Sequence, residues 1–349
     1  MVHRAVVGAL IGVAVVAVVG VAEKPSGEAR AASKAGPRVE FTSFRSLGIS
    51  WPKGITAGPD GALWFTNGSS IGRITTAGKV TTFRDKGIGS PGAITAGRDG
   101  ALWFTNGDSI GRITTRGAVT IYRDKSIRYL GEAIAAGPDG ALWFTMYDEE
   151  AMYNGDPRAS GIGRITTAGK VTVFRGRTIE GPGGITAGRD GALWFTMFNY
   201  KWPYAGIGRI TPNGSVTATS LIAGEVGGGG PSFGITVGPD RAIWFRHPRV
   251  DFDSIGRIST AGEVKMFRDR RIRGGLSDSM TSGPDGALWF TNDSSIGRIT
   301  TGGVVSVYKD MSIKPSHEIA GIATGPDKAI WFTNPSGKSI GRLRIVSTS

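Results

Sequence analysis

The sequence contains no cysteine and only three histidines in 349 residues. A chain without cysteine has no disulfide framework, no thiolate zinc site and no cysteine nucleophile. The histidines are His3, His247 and His317. Because His3 belongs to the extreme N-terminus, the remaining chain cannot supply a metal centre of three histidines. These absences exclude cysteine chemistry and histidine-rich metal chemistry.

Acidic residues are scarce relative to basic ones, whereas glycine is abundant. There are 28 Asp and Glu against 41 Lys and Arg, which gives a formal net charge of +13. The 56 glycines follow no Gly-X-Y register, and each would cost a helix interior about 1 kcal/mol. A hydrophobic content of 40% with nine tryptophans is enough for a large core. The composition predicts an all-β protein.

The N-terminus has the pattern of an export signal. Residues 1–4 are followed by an uncharged stretch at 5–22 and by Ala29-Arg30-Ala31, which suits a signal-peptidase site. We expect a signal peptide at 1–31, a linker at 32–37 and a secreted or cell-envelope location. The alternative is an uncleaved anchor, because an apolar run of this length can just span a bilayer. Membrane contact is expected only through this segment.

The remaining chain is a sevenfold repeat. Each unit has a Gly-(Pro/Arg)-Asp turn, then Trp-Phe, then Ile-Gly-Arg. The seven Trp-Phe tryptophans are Trp64, Trp103, Trp143, Trp194, Trp244, Trp289 and Trp331. Their spacing averages about 45 residues, the length of a four-stranded propeller blade. The periodic tryptophans are expected in the core, and the Ile-Gly-Arg arginines are expected to pack blades.

The first unit predicts four strands, which we call A to D, at 54–57, 62–66, 71–75 and 80–83. Residues 41–45 resemble a strand D, whereas the chain closes with a strand C at 340–345. The N-terminal strand can therefore complete the last blade and remove the exposed edges of an open array. We predict a monomeric seven-bladed β-propeller of antiparallel four-stranded blades at 38–349.

The repeat breaks on one face. From tryptophan to the isoleucine of Ile-Gly-Arg the chain advances 7 positions in blades 1, 2 and 6, but 19, 13 and 11 in blades 3, 4 and 5. Aromatic side chains in and near these insertions suit stacking on a sugar, a macrocycle or a peptide side chain. The alternative is that long loops pack on their own aromatics. The candidate ligand-binding aromatics are Phe198, Tyr200, Trp202, Tyr204, Tyr147 and Trp51.

The unit Gly-Ile-Thr-Ala-Gly-Pro-Asp-Gly-Ala-Leu-Trp-Phe-Thr, followed by Ile-Gly-Arg-Ile-Thr, resembles the virginiamycin B lyase (streptogramin lyase) family over about residues 38–346. The resemblance implies a propeller that opens cyclic depsipeptides by magnesium-assisted elimination at an ester. In that family histidines stand at the strand A starts of blades 6 and 7. Here Asp278 and Ala320 occupy those places, Asn334 replaces an acidic residue, and Glu318 is retained.

Strand A starts and strand B ends would line the mouth of the propeller. We expect His247, Asp278, His317 and Glu318 to gather over blades 5 to 7, with Lys53 and Glu132 elsewhere around the mouth. The catalytic candidates are His317, Glu318 and Asp278, and the candidate Mg²⁺ ligands are Asp278 and Glu318.

Three functions remain open: a C–O lyase on a cyclic ester, an exported module that binds a carbohydrate, peptide or envelope polymer, and a metal-dependent sugar lactonase. The basic residues after each strand D predict weak attraction to an anionic envelope or polymer. Nucleic acid is not expected as a partner of an exported protein.

Overall fold

The computed structural model describes residues 36–346, except 149, 151–153, 155–158, 177, 200–203, 221–233, 248–252, 275–277, 312 and 314–318. The predicted signal segment therefore lies outside the described residues. Within the described part, no helix is long and apolar enough to cross a bilayer. The all-β class is confirmed, because the described chain forms seven sheets of four antiparallel strands.

The strands follow the repeat unit by unit. Blades 1 and 2 contain β2 Pro52–Ala57, β3 Leu63–Asn67, β4 Ile71–Ile74, β5 Val80–Phe83, β6 Pro91–Ala96, β7 Ala101–Asn106, β8 Ser109–Thr114 and β9 Val119–Tyr122. Blades 3 and 4 contain β10 Leu130–Ala136, β11 Leu142–Tyr147, β12 Ser160–Ile165, β13 Val171–Phe174, β14 Pro182–Ala187, β15 Leu193–Asn199, β16 Tyr204–Ile210 and β17 Val216–Ser220. Blades 5 and 6 contain β18 Ile235–Val237, β19 Ile243–His247, β20 Ser254–Ile258, β21 Val264–Arg268, β22 Met280–Ser282, β23 Ala287–Asn292, β24 Ser295–Thr300 and β25 Val305–Tyr308. Blade 7 contains β26 Ile322–Thr324, β27 Ile330–Asn334, β28 Ser339–Val346 and β1 Arg38–Arg45.

The ring closes as the sequence predicts. The last sheet has the order β1-β28-β27-β26, and β1 pairs with β28 in an unbroken antiparallel register from Arg38↔Val346 to Arg45↔Ser339. The A strands of successive blades contact one another around the whole circle, including β26 against β2. The N-terminal strand thus serves as strand D of blade 7.

Each blade buries its Trp-Phe pair, and in every blade except blade 4, where Thr219 takes the place of the ring, the tryptophan stacks on an aromatic ring of strand D. In blade 1, Trp64 and Phe65 are fully buried, and Trp64 stacks on Phe83 of strand D with ring centroids 5.2 Å apart. Phe44 of β1 stacks on Trp331 at 5.4 Å, so the N-terminal strand supplies the missing ring to blade 7. Stacked aromatic pairs of this kind add about 1 kcal/mol to their area burial.

An aspartate of each A–B turn clasps the tryptophan and the Ile-Gly-Arg arginine of its blade. In blade 1, Trp64 Nε1 donates to Asp60 Oδ1 at 2.9 Å and Arg73 Nε donates to Asp60 Oδ2 at 2.6 Å. The same ion pair recurs in every blade, which confirms that these arginines pack the blades. These arginines are therefore occupied by their own blades.

The clasps also perturb the carboxyl groups. Burial by itself would raise the pKa of Asp60, but the hydrogen bonds from Trp64 and Arg73 outweigh it and lower the pKa below the ordinary value of 3.8. The pKa values of four further clasp aspartates, those of blades 2 to 5, are lowered for the same reasons: Asp99, Asp139, Asp190 and Asp240. The folded ring therefore favours the charged form of these groups.

Candidate functional site

The face that carries the D–A and B–C connections is irregular, and we call it the loop face. Antiparallel strands alternate in direction, so strand A starts and strand B ends lie together on this face. A β-bulge opens the first four A strands near their starts, for example between Pro52 and Ile55 opposite Phe65–Asn67. The bulge explains why strand A of blade 1 begins two residues before its predicted start at residue 54.

Two polar side chains at the end of strand B close this bulge and hold the loop above it. In blade 1, Thr66 Oγ1 accepts from Gly54 N at 3.0 Å and donates to the carbonyl of Gly92 in the next blade at 2.7 Å. Asn67 accepts from Ser50 N at 2.8 Å and donates to the Gly48 carbonyl at 2.8 Å. The threonine therefore links adjacent blades, and the asparagine anchors the D–A loop.

Blade 5 replaces both residues. Its Trp-Phe is followed by Arg246 and His247, which are 2% and 4% exposed. The long Arg246 side chain takes the place of the threonine and, like it, reaches the next blade, where Arg246 Nη2 donates to the Arg273 carbonyl at 2.9 Å. Gly234 makes room for it, because a Cβ there would stand 2.5 Å from Arg246 Cγ.

Arg246 joins two carboxylates in a buried charged cluster between blades 5 and 6. Its Nη2 lies 3.3 Å from Asp278 Oδ1 and 3.4 Å from Asp253 Oδ2, and its guanidinium packs over the Phe290 ring at 5.2 Å. Asp278 is 7% exposed. Among the described residues, Arg246 Nε and Nη1 have no hydrogen-bond partner. The cluster is the chief departure from the repeat, and it lies at a strand A start.

The cluster bears on the expected magnesium site. Within the described part of the chain, no three His, Asp or Glu side chains converge on one point, and Glu318 lies outside it. Asp278, the other expected ligand, has a guanidinium within ion-pair distance. A fixed cation beside a carboxylate opposes the approach of a second cation. The guanidinium beside Asp278 therefore disfavours Mg²⁺ at this carboxylate, and no step is assigned to the ion.

The other predicted residues fall into three groups. Trp51 is half exposed, Lys53 and Tyr147 are partly buried, and His247 is buried beside Arg246. Glu132, Phe198 and Tyr204 lie in β10, β15 and β16, and their side chains are outside the described part of the structure. The residues outside the described ranges are Tyr200, Trp202, His317 and Glu318. Of the four expected at the mouth over blades 5 to 7, the structure thus places His247 and Asp278.

Sequence reasoning missed Arg246. The available signal was a sequence change in blade 5 alone, where Trp-Phe-Arg replaces the Trp-Phe-Thr of the other six blades. The position directly follows the repeated aromatic pair and was passed over for that reason. For the sugar lactonase that the sequence leaves open, the asparagines at the strand B ends would be the candidate amide ligands of a metal. Asn67, Asn106 and Asn292 are instead bonded to the backbone of their own loops. Their oxygens are occupied, which argues against that metal site.

The loop face also has a cleft of about 630 Å³ at the junction of blades 2 and 3. Its lining includes Arg123, Lys125, Arg128, Asp108 and Tyr129. Tyr129 adopts a positive φ of 56°, a conformation that is strained for a residue with a side chain. This cleft lies in a different sector from the Arg246–Asp278 cluster.

Comparisons with known proteins agree with the repeat. The virginiamycin B lyase family model matches residues 31–223 and 203–348. A virginiamycin B lyase from Staphylococcus aureus is 31% identical, with a TM-score of 0.72, 88% of this chain covered and 100% of that one. A catalytically inactive variant of the S. aureus enzyme with quinupristin is 30% identical, with the same TM-score and coverage. A comparison with curated proteins gave no match.

A gluconolactonase from Xanthomonas campestris is more distant. It is 12% identical, with a TM-score of 0.52, 92% of this chain covered and 94% of that one. Identity this low shows a shared propeller fold alone. The family model, in contrast, spans the folded chain and includes every blade. The chain belongs to the virginiamycin B lyase family.

Proposed function

We propose that the protein binds a cyclic ester or depsipeptide on its loop face, over blades 5 to 7, and opens it by C–O elimination. Family membership carries this proposal, because relatives about 30% identical over 88% of this chain include a virginiamycin B lyase and a streptogramin B lyase. The retained Glu318 and the neighbouring His317 are the proposed base and its partner. Neither lies among the described residues.

The reaction needs no water. A base removes a proton from the carbon α to a carbonyl, the electron pair forms a carbon–carbon double bond, and the neighbouring C–O bond breaks. The ester oxygen leaves as part of a carboxylate. The linear product therefore has the mass of the cyclic substrate, whereas hydrolysis would add one water. This difference separates a lyase from a lactonase.

In this proposal Asp278 positions the substrate rather than removing its proton. Its carboxylate lies 3.3 Å from Arg246 Nη2 and is almost fully buried. A buried carboxylate beside a guanidinium is held in place by that ion pair, which suits a positioning role. We therefore assign proton removal to His317 and Glu318, which precede strand A of blade 7 in the sequence.

A second candidate is a binding module without catalysis. The same buried pair favours it, since Arg246 and Asp278 fill a place where the family resemblance implies a histidine. The aromatic loops of blades 3 to 5, including Tyr200 and Trp202, would then hold the ligand by stacking. This candidate predicts binding with no conversion.

One experiment separates the two. The full protein is incubated with a B-type streptogramin, with and without magnesium, and the mixture is examined by mass spectrometry and isothermal titration calorimetry. The lyase predicts a linear product of unchanged mass that is lost in Glu318→Gln and kept in Lys79→Ala, an exposed change on the opposite face. Binding without a product supports the module. Neither binding nor conversion contradicts both.

Export is proposed with the function. The evidence is the apolar stretch at 5–22 with its following Ala-Arg-Ala. Expression in a bacterial host followed by mass measurement of the mature chain tests it. Loss of residues 1–31 is expected, and an intact cytoplasmic chain would contradict it.

A further inference from the structure

The D–A connections of the propeller repeat a tight turn that presents one side chain to solvent. A buried isoleucine anchors each turn, and its amide donates to the carbonyl three residues earlier, as in Ile49 N to Ser46 O at 2.9 Å and Ile88 N to Asp85 O at 3.0 Å. The same bond is made by Ile127, Ile179, Ile272 and Ile313. In four of the turns a Ser or Asp side chain also accepts from the residue before the isoleucine.

This geometry fixes the residue two before each isoleucine, which we call the tip. Around the ring the described tips are Leu47, Lys86, Lys125, Arg270 and Met311. Every one of them is exposed. Because the flanking backbone is hydrogen-bonded, a tip is held in place by a built turn rather than by a loose loop.

Two neighbouring tips are apolar and fully exposed. Leu47 is 106% exposed and Met311 is 101% exposed. They belong to the turns on either side of blade 7, and the next described tips in each direction are Lys86 and Arg270. Trp51, on the same connection as Leu47, is a further half-exposed apolar side chain. Leu47, Met311 and Trp51 thus give this sector of the rim exposed apolar side chains that are flanked on both sides by basic tips.

The charge around these tips is one-sided. The described residues of the six turns at 45–49, 84–88, 123–128, 175–180, 268–273 and 309–313 carry twelve cationic side chains and five carboxylates. On the opposite face, the seven A–B turns carry four cationic side chains and seven carboxylates, and each of these carboxylates is ion-paired with the Ile-Gly-Arg arginine of its blade. The D–A turns therefore carry an excess of seven cationic side chains on the same face as the apolar tips.

We propose that this rim docks on an anionic lipid bilayer, with Leu47 and Met311 entering the interface and the flanking cations meeting the headgroups. Apolar tips between basic residues are the combination that binds an interface, because buried apolar area and attraction to anionic lipid add. A hydrophilic polyanion would use the cations and gain nothing from the leucine and methionine. The two apolar tips therefore select lipid over a charged polymer. The inference does not depend on the proposed lyase activity.

The test is sedimentation of the full protein with vesicles of phosphatidylcholine alone or of phosphatidylcholine with phosphatidylglycerol. The variants are Leu47→Ser/Met311→Ser, Lys86→Ser/Arg270→Ser, and Val304→Ser as the matched control. Val304 is 50% exposed on a C–D turn of the opposite face. All proteins carry the same N-terminal segment, so any difference between them belongs to the turns.

We expect binding to anionic vesicles that weakens with salt and falls about thirtyfold in each double variant, as loss of two interfacial contacts near 1 kcal/mol each requires. Val304→Ser should bind like the unchanged protein. Equal binding by the unchanged protein and Leu47→Ser/Met311→Ser would overturn the proposal. So would binding to heparin that is insensitive to the apolar tips, in the absence of vesicle binding, because the partner would then be a polymer.

Discussion

Arg246 is the residue whose position is hardest to explain by the repeat alone. It is buried, it replaces a small threonine, and its Nη2 lies within 3.4 Å of the carboxylates of Asp253 and Asp278. A buried charge is stable only with its partners in place. Arg246 therefore ties the blade 5 sector of the loop face to blade 6.

Replacing Arg246 with methionine leaves two carboxylates without their guanidinium. We expect Arg246→Met to lower the free energy of unfolding by about 3 kcal/mol, because removal of one partner of a buried pair leaves an uncompensated charge. Urea unfolding followed by tryptophan fluorescence measures the change. In the double variant Arg246→Met/Asp278→Asn part of the loss should be recovered.

The control for this prediction is Arg209→Met. Arg209 pairs with Asp190 at 2.6 Å, but its side chain is 30% exposed. A partly exposed pair contributes about 1 kcal/mol or less. Equal losses in Arg246→Met and Arg209→Met would show that the blade 5 cluster is no more than another clasp.

At the scale of the strand, the Ile-Gly-Arg glycine is required by the ring opposite it. Gly72 of β4 faces Phe65 of β3, and a Cβ there would lie 2.1 Å from the Phe65 ring. Phe65 is fully buried and cannot move aside. Strand C therefore requires glycine at this position in each blade, because any side chain there would clash with the phenylalanine ring of strand B.

Gly72→Ala should therefore destabilise the protein. We expect a loss of about 1 to 3 kcal/mol from overpacking, measured as a shift of the urea midpoint. Gly89→Ala is the matched control, since a Cβ there meets nothing within 4 Å and the backbone is not in the left-handed region. A midpoint for Gly72→Ala that matches Gly89→Ala would contradict this account.

The sequence predicts the elements well because each signal repeats seven times. Trp64, Phe65 and Ile71 recur with turn residues between them in a pattern that fits only a four-stranded blade, and the strand bounds predicted for blade 1 agree with the structure within two residues. The closure of the ring by the N-terminal strand was predictable, because Phe44 occupies the same place in its strand as Phe83 does in strand D of blade 1. The Arg246–Asp278 contact was not, because 32 positions separate the two residues and no periodic signal connects them.

The loop-face insertions mark the other limit of sequence reasoning. Residues such as Trp202 and His317 stand outside the repeat, so no neighbouring blade supplies a template for them. Their expected roles in binding and catalysis rest on residue type alone. The Asn67 amide shows the risk of this, because a residue at the mouth proved to hold its own loop.

Across the whole molecule, the ion pairs of the A–B turn aspartates make the free energy of unfolding depend on pH. The pKa values of Asp60, Asp99, Asp139, Asp190 and Asp240 are lowered from 3.8 in the folded protein. The unfolded chain therefore binds protons more readily, and these groups stabilise the fold fully above about pH 4. Their contribution is lost as pH falls through the lower folded values.

We therefore expect a melting temperature that is flat between about pH 7 and 5 and falls below about pH 4. Scanning calorimetry at a series of pH values measures it. Asp99→Asn should be less stable at neutral pH, with a shallower loss on acidification. A melting temperature that stays constant to about pH 3 would contradict the role of the clasps.

The central claim places the ligand on the loop face over blades 5 to 7. Its most direct test is hydrogen–deuterium exchange of the full protein with and without a B-type streptogramin, resolved by mass spectrometry. The account predicts slower exchange in 243–247 and 278–282, with no change at the A–B turn 58–61. Protection confined to the A–B turns, or no protection anywhere, would contradict it.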